Sequence, residues 1–257
     1  STDAGSIVVY DSGAWKTFPN EASAGLSNDY SVDFDGANDY IATNYKPSSS
    51  ATALSISYWM KTTSYSGGAA AFSVEGYPYT EKSFRVNFNS SGKFFVTVSN
   101  GTSTYNSYSL NAANTPTQGI NLFDGNWHHV LGTLNGQSVK VYVDGVEEFT
   151  LTSTVTYAGG DQTFPYYIGM LGNGSPSYYW DGKLDEVSVF ETELSSSDVT
   201  AIYNSGVPTS LTSYSPAGWW RMGDDDGGTG STITDQGSGG NDGTLTNGPT
   251  FSSDVPS

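Results

Sequence analysis

Aspartate recurs in three glycine-containing turns, and these are the first residues whose spacing suggests chemistry. The turns are FDGANDY with Asp35 and Asp39, WDGKLDE with Asp181 and Asp185, and the acidic run GDDDGG at 223–228. Calcium binds six to eight oxygen ligands, which carboxylates and the backbone carbonyls of such turns can supply. Aspartate also favours turns through its own side-chain hydrogen bonds. Both interpretations stay open for Asp35 and Asp185, whereas a turn role is favoured for Asp181 and for the acidic run.

Two tyrosine-bearing loops have the composition of sugar-binding sites. Tyr77 and Tyr79 lie in GYPYTEK, and Asn173, Tyr178 and Tyr179 lie in GNGSPSYYW. Lectin-like sites stack a sugar ring on an exposed aromatic side chain and bind its hydroxyls with polar groups. For each single tyrosine, a half-buried position against the protein core is the more frequent alternative. The loops are therefore candidate glycan-binding sites.

The remaining reactive residue types support little catalytic chemistry. His128 and His129 are the only histidines, and adjacent residues of a strand point to opposite faces, so they cannot hold one zinc ion together. The chain has no cysteine, which excludes disulfides, thiolate metal sites and a cysteine nucleophile. No nucleophile elbow, P-loop or dinucleotide-binding fingerprint occurs either.

The charge of the chain is strongly one-sided. Twenty-six acidic residues against nine basic ones give a formal net charge of −17. Nucleic acid is excluded as a partner because phosphate binding needs a basic surface, and an anionic membrane surface is disfavoured for the same reason. Apolar runs are too short for membrane insertion. Solubility in a salty medium and cation binding are the two interpretations that remain.

The segment 123–151 has the clearest strand and turn pattern in the chain, and the neighbouring elements are expected to pack around it. Two hairpin-forming dipeptides, Asn135-Gly136 and Asp144-Gly145, separate three runs that alternate in polarity. Both dipeptides tolerate the positive φ angles of tight hairpins. The segment therefore predicts a three-stranded antiparallel meander.

Short strand-like segments fill most of the chain between Tyr30 and Phe190. In LSISYWMKT, the residues Leu54, Ile56, Tyr58 and Met60 share one face, and Trp59 lies on the other. Only 195–206 (SSSDVTAIYNSG) has the caps of a helix, with Gly206 as the stop. We therefore predict an all-β, two-sheet antiparallel jelly-roll sandwich with one short helix at its rim.

The chain divides by composition into three parts. Residues 1–25 contain a short strand and a Tyr-Asp-x-x-x-Trp segment, which resembles segments of bacteriophage virion proteins, and form a predicted N-terminal strand or attachment arm. Residues 26–206 form the predicted sandwich. Residues 207–257 are rich in glycine but carry tryptophans and other apolar residues, so we expect them to dock back onto the sandwich as edge strands.

An ordered set of segments between Tyr30 and Gly206 resembles the laminin-G-like, concanavalin A-like sandwich family. The segments are VDFDGANDYI, LSISYWMKT, FDGNWHHVLGTLNG, VKVYVDGVEEF, YYIGM and DGKLDEVSVFETELSSSDVTAIYN. The tail WWRMGD…ITDQGSGGNDGTLTNG is similar to the segment that usually precedes the FDG strand. We therefore expect a circularly permuted edge rather than the opening of a second copy.

The resemblance implies positions for several candidate residues. It places the FDG turn and the DE-bearing strand next to each other, so that Asp35 and Asp185 share a structural calcium ion with Asp39 nearby. It also makes His128 and His129 part of a packing signature.

Catalysis by analogy with β-glucanases is not favoured. Glu186 and Glu191 are five residues apart, and Ser188 stands where the E-x-D-x-x-E motif of those enzymes has its middle Asp. Retaining hydrolysis needs two carboxyl groups about 5 Å apart. Without a bulge, Glu186 and Glu191 point to opposite faces of a strand.

The expected function is non-catalytic binding outside the cell, to glycans of a cell surface, with calcium as a structural ion. The alternative is a structural or decoration subunit of a bacteriophage virion or an extracellular filament, bound to other subunits. A glycoside hydrolase is the third hypothesis. Because one fold hosts all these roles, the fold alone does not choose among them.

Overall fold

The structure is a computed structural model. It describes residues 7–11, 14–18, 26–64, 70–74, 81–88, 93–101, 105–109, 121–160, 162–171 and 177–257. For 7–11, 14–18 and 105–109 it describes the backbone alone.

The described residues contain twenty strands, one α-helix and two short 3-10 helices, Asn204–Gly206 and Thr212–Tyr214. The first ten strands are β1 Ile7–Asp11, β2 Ala14–Phe18, β3 Ser31–Asp35, β4 Tyr40–Ala42, β5 Ala53–Lys61, β6 Phe72–Ser73, β7 Lys82–Phe88, β8 Phe94–Asn100, β9 Tyr105–Ser109 and β10 His128–Asn135. The others are β11 Ser138–Val143, β12 Val146–Thr152, β13 Tyr167–Ile168, β14 Met170–Leu171, β15 Ser177–Tyr179, β16 Asp181–Phe190, β17 Gly218–Trp220, β18 Thr232–Ile233, β19 Gly243–Thr246 and β20 Thr250–Ser252. The helix α1 is Ser196–Tyr203.

Two layers of antiparallel strands confirm the predicted sandwich. One layer is an eight-stranded sheet in the order β12-β11-β10-β5-β16-β3-β20, with β17 also paired to β16. A five-stranded sheet, β18-β19-β4-β13-β6, and a three-stranded sheet, β7-β8-β9, form the facing layer. The hairpin β1-β2 forms a two-stranded sheet of its own, and so does β14-β15.

The core between the layers follows the alternation of the strands. In β5, Leu54, Ile56, Tyr58 and Met60 all face this core, as predicted. Residues of β7 and β8 meet them from the facing layer, and the Tyr58 hydroxyl donates to the Val86 carbonyl oxygen at 3.1 Å. Continuous burial of aromatic and branched side chains is the main stabilising contribution here.

The predicted meander is confirmed as β10, β11 and β12. Register pairs Val130 with Val143 and Leu134 with Val139, and all four side chains lie in the main core. The second turn has Asp144 at φ 47° and Gly145 at φ 79°, the backbone that a two-residue turn with right-handed twist requires.

The single predicted helix is confirmed, but it ends at Asn204 rather than at Gly206, and it packs against the face of a sheet rather than at the rim. Ser195 and Asp198 form a reciprocal capping box at its start, and Asn204 ends it in the left-handed conformation, which satisfies the exposed backbone groups of both ends. Val199 and Ile202 pack into a second apolar cluster with Leu131. The helix therefore covers part of the outer face of the eight-stranded sheet, which buries that sheet on both sides.

The C-terminal segment contributes strands to both layers. β17 pairs with β16 and β20 pairs with β3 in the large sheet, while β19 pairs with β4 in the five-stranded sheet. Trp220 is fully buried, with its ring centroid 5.5 Å from that of Phe72. The circular permutation itself stays a prediction.

A bulge in β16 buries two neighbouring carboxyl groups on one face. Its register against β5 shifts between Asp185 and Ser188, and Glu186 has φ 48°. A bulge sends two successive side chains to the same side of a sheet. Glu186 there accepts hydrogen bonds from Trp219 Nε1 at 2.5 Å and from Arg221 Nε at 3.1 Å.

Three further hydrogen bonds connect residues 27–30 to the C-terminal segment. The Asp224 carboxylate accepts the backbone N–H groups of Asp29 and Tyr30 at 2.7 and 2.8 Å, and the Arg221 guanidinium donates to the Ser27 carbonyl oxygen. The acidic run therefore contains structural hydrogen-bond acceptors that reach a segment beyond its own turn.

Deletion of residues 212–257 tests the contribution of the C-terminal segment. We expect the truncated chain to be insoluble or much less stable, because β3, β4 and β16 each lose a paired strand and the core loses Trp220. The point variant Trp220→Ala measures a graded version of this effect, with an expected loss of about 3–5 kcal/mol in the free energy of unfolding by denaturant titration.

Val207→Ala is the matched control, because Val207 lies in the same segment but is 45% exposed and its truncation should change stability by less than about 0.5 kcal/mol. A truncated chain as soluble and stable as the full one would contradict the docked, permuted segment.

The buried carboxyl pair predicts a stability that falls as the pH rises. Burial raises the pKa of Glu186 to about 7, against the lowering effect of Arg221 and Trp219. Burial and the neighbouring Glu186 also raise the pKa of Asp185. The folded state holds protons that the unfolded state has released between about pH 4.5 and 7, so the free energy of unfolding decreases across that window.

Asp185→Asn removes one buried charge, so it should flatten this decrease and raise the free energy of unfolding at pH 8 relative to the unchanged protein. Asn28 Oδ1 has no hydrogen-bond partner in the described structure, so a reoriented Asn28 amide can accept the new N–H. Denaturant titrations of both proteins at pH 5 and pH 8 measure the difference. His129, with its pKa lowered to about 4 by burial, acts in the opposite sense in both proteins and cancels. Equal pH profiles would contradict the prediction.

Candidate functional site

The FDG turn holds two of the three predicted calcium ligands. Asp35 is exposed and accepts the Ala37 N–H at 2.8 Å, which closes the turn. Asp39 is buried, and its Oδ2 accepts the Asp35 N–H at 3.2 Å. Its Oδ1 has no partner among the described residues, and burial raises the pKa of this carboxyl group.

The register does not bring Asp185 to this turn. β3 and β16 are neighbours, as the resemblance implies, but Asp35 lies opposite Asp181. Asp185 is four residues further along β16, or roughly 13 Å at the rise of a strand. It is fully buried and accepts the Glu186 N–H at 2.8 Å and the Asn28 amide at 3.1 Å. The expectation that Asp35 and Asp185 share one ion is therefore corrected.

A cleft of about 230 Å³ opens beside the FDG turn. It is lined by Lys61, Thr62, Thr63, Gly125, Asp181, Gly182 and Lys183. Thr62 Oγ1 donates to the Asp181 carbonyl oxygen at 2.6 Å, and the Gly125 N–H donates to the Thr62 carbonyl oxygen at 3.2 Å. Three chain segments are thus fixed around one polar opening.

Glycine at position 182 is required by the close approach of two strands at this cleft. Its φ is 125°, and a Cβ atom there would lie 2.5 Å from the Lys61 carbonyl oxygen and 2.8 Å from the Thr62 Cβ. Any larger residue would both strain the backbone and push the walls of the cleft apart.

The lysines of the cleft are neutralised by the C-terminal segment. Lys61 Nζ lies 2.8 Å from an Asp254 carboxylate oxygen, and Lys183 Nζ lies 3.5 Å from carboxylate oxygens of both Asp33 and Asp254. Trp127 Nε1 donates to Asp254 at 3.1 Å. Although partial burial opposes it, these donors lower the pKa of Asp254. The cleft therefore presents hydrogen-bonding groups with little excess positive charge.

Tyr178 lies three residues before Asp181, which lines the cleft, and exposes an aromatic ring in the same region of the chain. It is 54% exposed and has φ 55°, a backbone that few non-glycine residues adopt. Tyr179 is partly buried and is paired with Met170 across the β14-β15 hairpin. The other predicted ligand-binding residues, Tyr77, Tyr79 and Asn173, lie outside the described residues.

The two histidines have separate environments, as predicted for a strand. His128 contacts Asp144 at 2.8 Å and Asp124 at 3.3 Å; these carboxylates outweigh burial and raise its pKa. His129 Nε2 lies 2.8 Å from Ser57 Oγ, and its ring is fully buried. This serine–histidine pair, which the sequence did not reveal, is closed to substrate.

The two glutamates of the β-glucanase comparison also lie apart. Glu186 contacts Trp219 and Arg221 on the helix-covered side of the large sheet. Glu191 accepts hydrogen bonds from the Ser48 N–H and hydroxyl at 2.6 and 2.5 Å. The bulge lies at Asp185 and Glu186. Beyond it the strand alternates regularly, with Val187 and Val189 in the main core and Phe190 in the second apolar cluster, so Glu186 and Glu191 point to opposite faces of the strand.

Two kinds of feature are absent from the described residues. These residues contain no group of three or more His, Cys, Asp or Glu side chains arranged to hold a metal ion. They also contain no helix long and apolar enough to span a membrane.

Comparison with known proteins agrees with the fold. No curated protein matches the chain significantly. A candidate carbohydrate-binding protein of Bacteroides ovatus has a TM-score of 0.66 and 17% identity, over 90% of this chain and 62% of that one. The CBM40 domain of the Ruminococcus gnavus IT-sialidase has a TM-score of 0.52 and 14% identity, over 70% of this chain and all of the domain. The same values hold for that domain bound to α2,6 sialyllactose.

These similarities are too distant to establish more than the fold, and the chain spans only 62% of the length of the Bacteroides protein. The family profile is more informative. Laminin_G_3, described as the concanavalin A-like lectin/glucanases superfamily, matches residues 35–200, which is more than half of the chain. The resemblance found in the sequence is thereby confirmed, and the chain belongs to the concanavalin A-like lectin/glucanases superfamily.

Proposed function

We propose that the chain is a non-catalytic carbohydrate-binding module that works outside the cell, with its sugar-binding site at the cleft and Tyr178. One observation carries the proposal: the most exposed aromatic side chain described, Tyr178, lies three residues from a cleft whose walls are polar. An aromatic ring beside fixed polar groups is the combination that sugar recognition needs.

The chemistry of the cleft suits a sugar ring. The face of a pyranose carries C–H groups that stack on an aromatic ring, and its hydroxyls both donate and accept hydrogen bonds. Thr63 offers an exposed hydroxyl, Asp181 offers a carboxylate, and Lys183 offers an ammonium group. The Thr62 hydroxyl is buried and serves to hold the Asp181 backbone in place. The volume of about 230 Å³ is small for a ligand pocket, so the proposed ligand unit is one or two sugar residues.

The comparisons support the ligand class and leave the sugar open. The Ruminococcus domain is bound to sialyllactose in two solved structures, and its similarity to this chain is one of fold. The ionic pairs of Lys61 and Lys183 with Asp254 and Asp33 favour neutral sugars over acidic ones, because an anionic ligand has to displace or repel these carboxylates.

Calcium bound by Asp35 and Asp39 is part of the same proposal. The fit rests on Asp39, whose buried Oδ1 lacks a partner among the described residues, and on the exposed carboxylate of Asp35 nearby. Calcium would supply positive charge to this buried oxygen and would need backbone carbonyls or water for its remaining ligands. Asp185 takes no part in it.

A glycan array tests the sugar-binding site directly. We expect the full chain to bind at least one class of sugar, and Tyr178→Ala to weaken this binding roughly ten-fold, because it removes one stacking contact. Tyr178→Phe keeps the ring and should bind nearly as well as the unchanged protein.

Two results would contradict this proposal. One is the absence of any binding at millimolar sugar; the other is equal binding by the Tyr178→Ala variant. Light scattering on the same samples addresses the alternative of a virion or filament subunit, for which large assemblies would be seen instead of sugar binding.

Thermal unfolding with and without a chelator tests the calcium ion. A ligand bound to the folded state alone raises the melting temperature, so we expect the chelator to lower it in the unchanged protein. Asp39→Asn should remove the response, whereas Asp225→Asn, a change in the acidic run, should retain it. A melting temperature that neither chelator nor added calcium shifts would exclude the ion.

A further inference from the structure

The outer face of the five-stranded sheet carries a regular array of hydroxyl and aromatic side chains. Register aligns Thr232 with Thr244, Thr244 with Ala42, and Ala42 with Tyr167. Paired residues of a sheet project from the same face. The intervening positions Ile41 and Ile168 lie in the main core, so the aligned row projects away from it.

A second row runs beside the first. Thr246 pairs with Tyr40, two residues along from Thr244 and Ala42, and therefore on the same outer face. The rings of Tyr40 and Tyr167 meet edge to face, with centroids 6.0 Å apart and an interplanar angle of 74°. This contact fixes the two rings against each other, while both tyrosines remain partly accessible.

The size of the array suits a chain of sugars rather than a single ring. Four strands at a spacing of about 4.8 Å give the first row a length of roughly 14 Å. Thr232 and Thr244 are exposed, and Thr246 and Ala42 are partly exposed. An aromatic pair at one end and threonine hydroxyls along the rows offer stacking and hydrogen bonds to consecutive sugar residues.

The charge of the outer face indicates which kind of polysaccharide it suits. The six residues Tyr40, Ala42, Tyr167, Thr232, Thr244 and Thr246 carry no charge, and the whole chain has a formal net charge of −17. The negative charge of the protein would repel a polyanion, and the array has no basic group to offset this repulsion. An uncharged polysaccharide is therefore the complementary ligand.

We infer that this outer face, defined by Tyr40, Ala42, Tyr167, Thr232, Thr244 and Thr246, is a second carbohydrate-binding surface that holds an extended, uncharged polysaccharide chain. The inference rests on the proposed function for its ligand class alone, because it uses no residue of the cleft. The cleft would bind one or two sugar residues, and the outer face would bind a run of several.

Affinity electrophoresis in native gels tests the outer face. The gels contain xylan, β-1,3-glucan, β-1,4-glucan or galactomannan, with alginate as the anionic comparison. We expect at least one neutral polysaccharide, but not alginate, to retard the full chain. Tyr40→Ala and Tyr167→Ala should each weaken the retardation about ten-fold, whereas Tyr40→Phe, Tyr167→Phe and Tyr178→Ala should keep most of it.

Thr244→Val gives a readout that does not depend on removing a packed ring. Thr244 is exposed, and valine keeps its shape and its preference for strands, so the variant should fold normally. We expect its retardation to weaken several-fold through loss of one hydroxyl. Circular dichroism and thermal unfolding of every variant confirm that the fold is kept.

The outcomes separate this inference from the proposed function. If Tyr178→Ala loses the retardation while the Tyr40, Tyr167 and Thr244 variants keep it, the inference about the outer face is wrong and the proposal about the cleft stands. No retardation by any neutral polysaccharide, with binding on the glycan array, would do the same. No binding in either assay would overturn both. A dimer that Tyr167→Ala converts to a monomer would assign the face to a second copy of the chain.

Discussion

Burial of Glu186 beside Arg221 is the interaction on which the assembly of the chain depends. The glutamate lies in β16, an interior strand of the large sheet, and the arginine follows β17 of the C-terminal segment. Arg221 also reaches Ser27 and Asp224, and Asp224 holds the backbone of residues 29 and 30. Two distant parts of the sequence therefore meet at one buried ionic group. Because a buried charge without its partner is strongly destabilising, neither part can leave without a large loss of stability.

The sequence was most informative where structure depends on near neighbours. Three kinds of feature depend on about ten consecutive residues each, and each was predicted. They are the alternation in β5, the turns at Gly136 and Asp144-Gly145, and the serine cap of the helix at Ser195. The calcium partners were predicted less well because they depend on register. The FDG strand and β16 are neighbours, but the pairing of Asp35 with Asp181 places Asp185 at the buried bulge. No local pattern encodes that offset.

The surfaces proposed for binding were the least predictable. Thr62, Asp181 and Gly125 form one cleft only because β5, β16 and the loop before β10 meet there. Tyr40 and Tyr167 are separated by most of the sandwich in sequence and meet across the pair β4-β13. Single tyrosines in strands are usually half-buried packing residues, so composition gives no reason to select these two. By contrast, Tyr178 was selected from its glycine-rich loop, and its exposure agrees with that selection.

The distribution of charge is compatible with the proposal that so acidic a chain binds sugars through the cleft. Lys61 and Lys183 are two of only nine basic residues, and both contact Asp254 near the end of the chain. The ion pairs orient the ammonium groups and reduce their net attraction for anions, which leaves directed hydrogen bonds as the main means of recognition. The outer face reaches the same selectivity differently, since it has hydroxyls and rings but no charge. Both proposed surfaces thus favour neutral sugars, one because its charges are compensated and the other because it has none, and a long neutral glycan is the ligand class that the two proposals share.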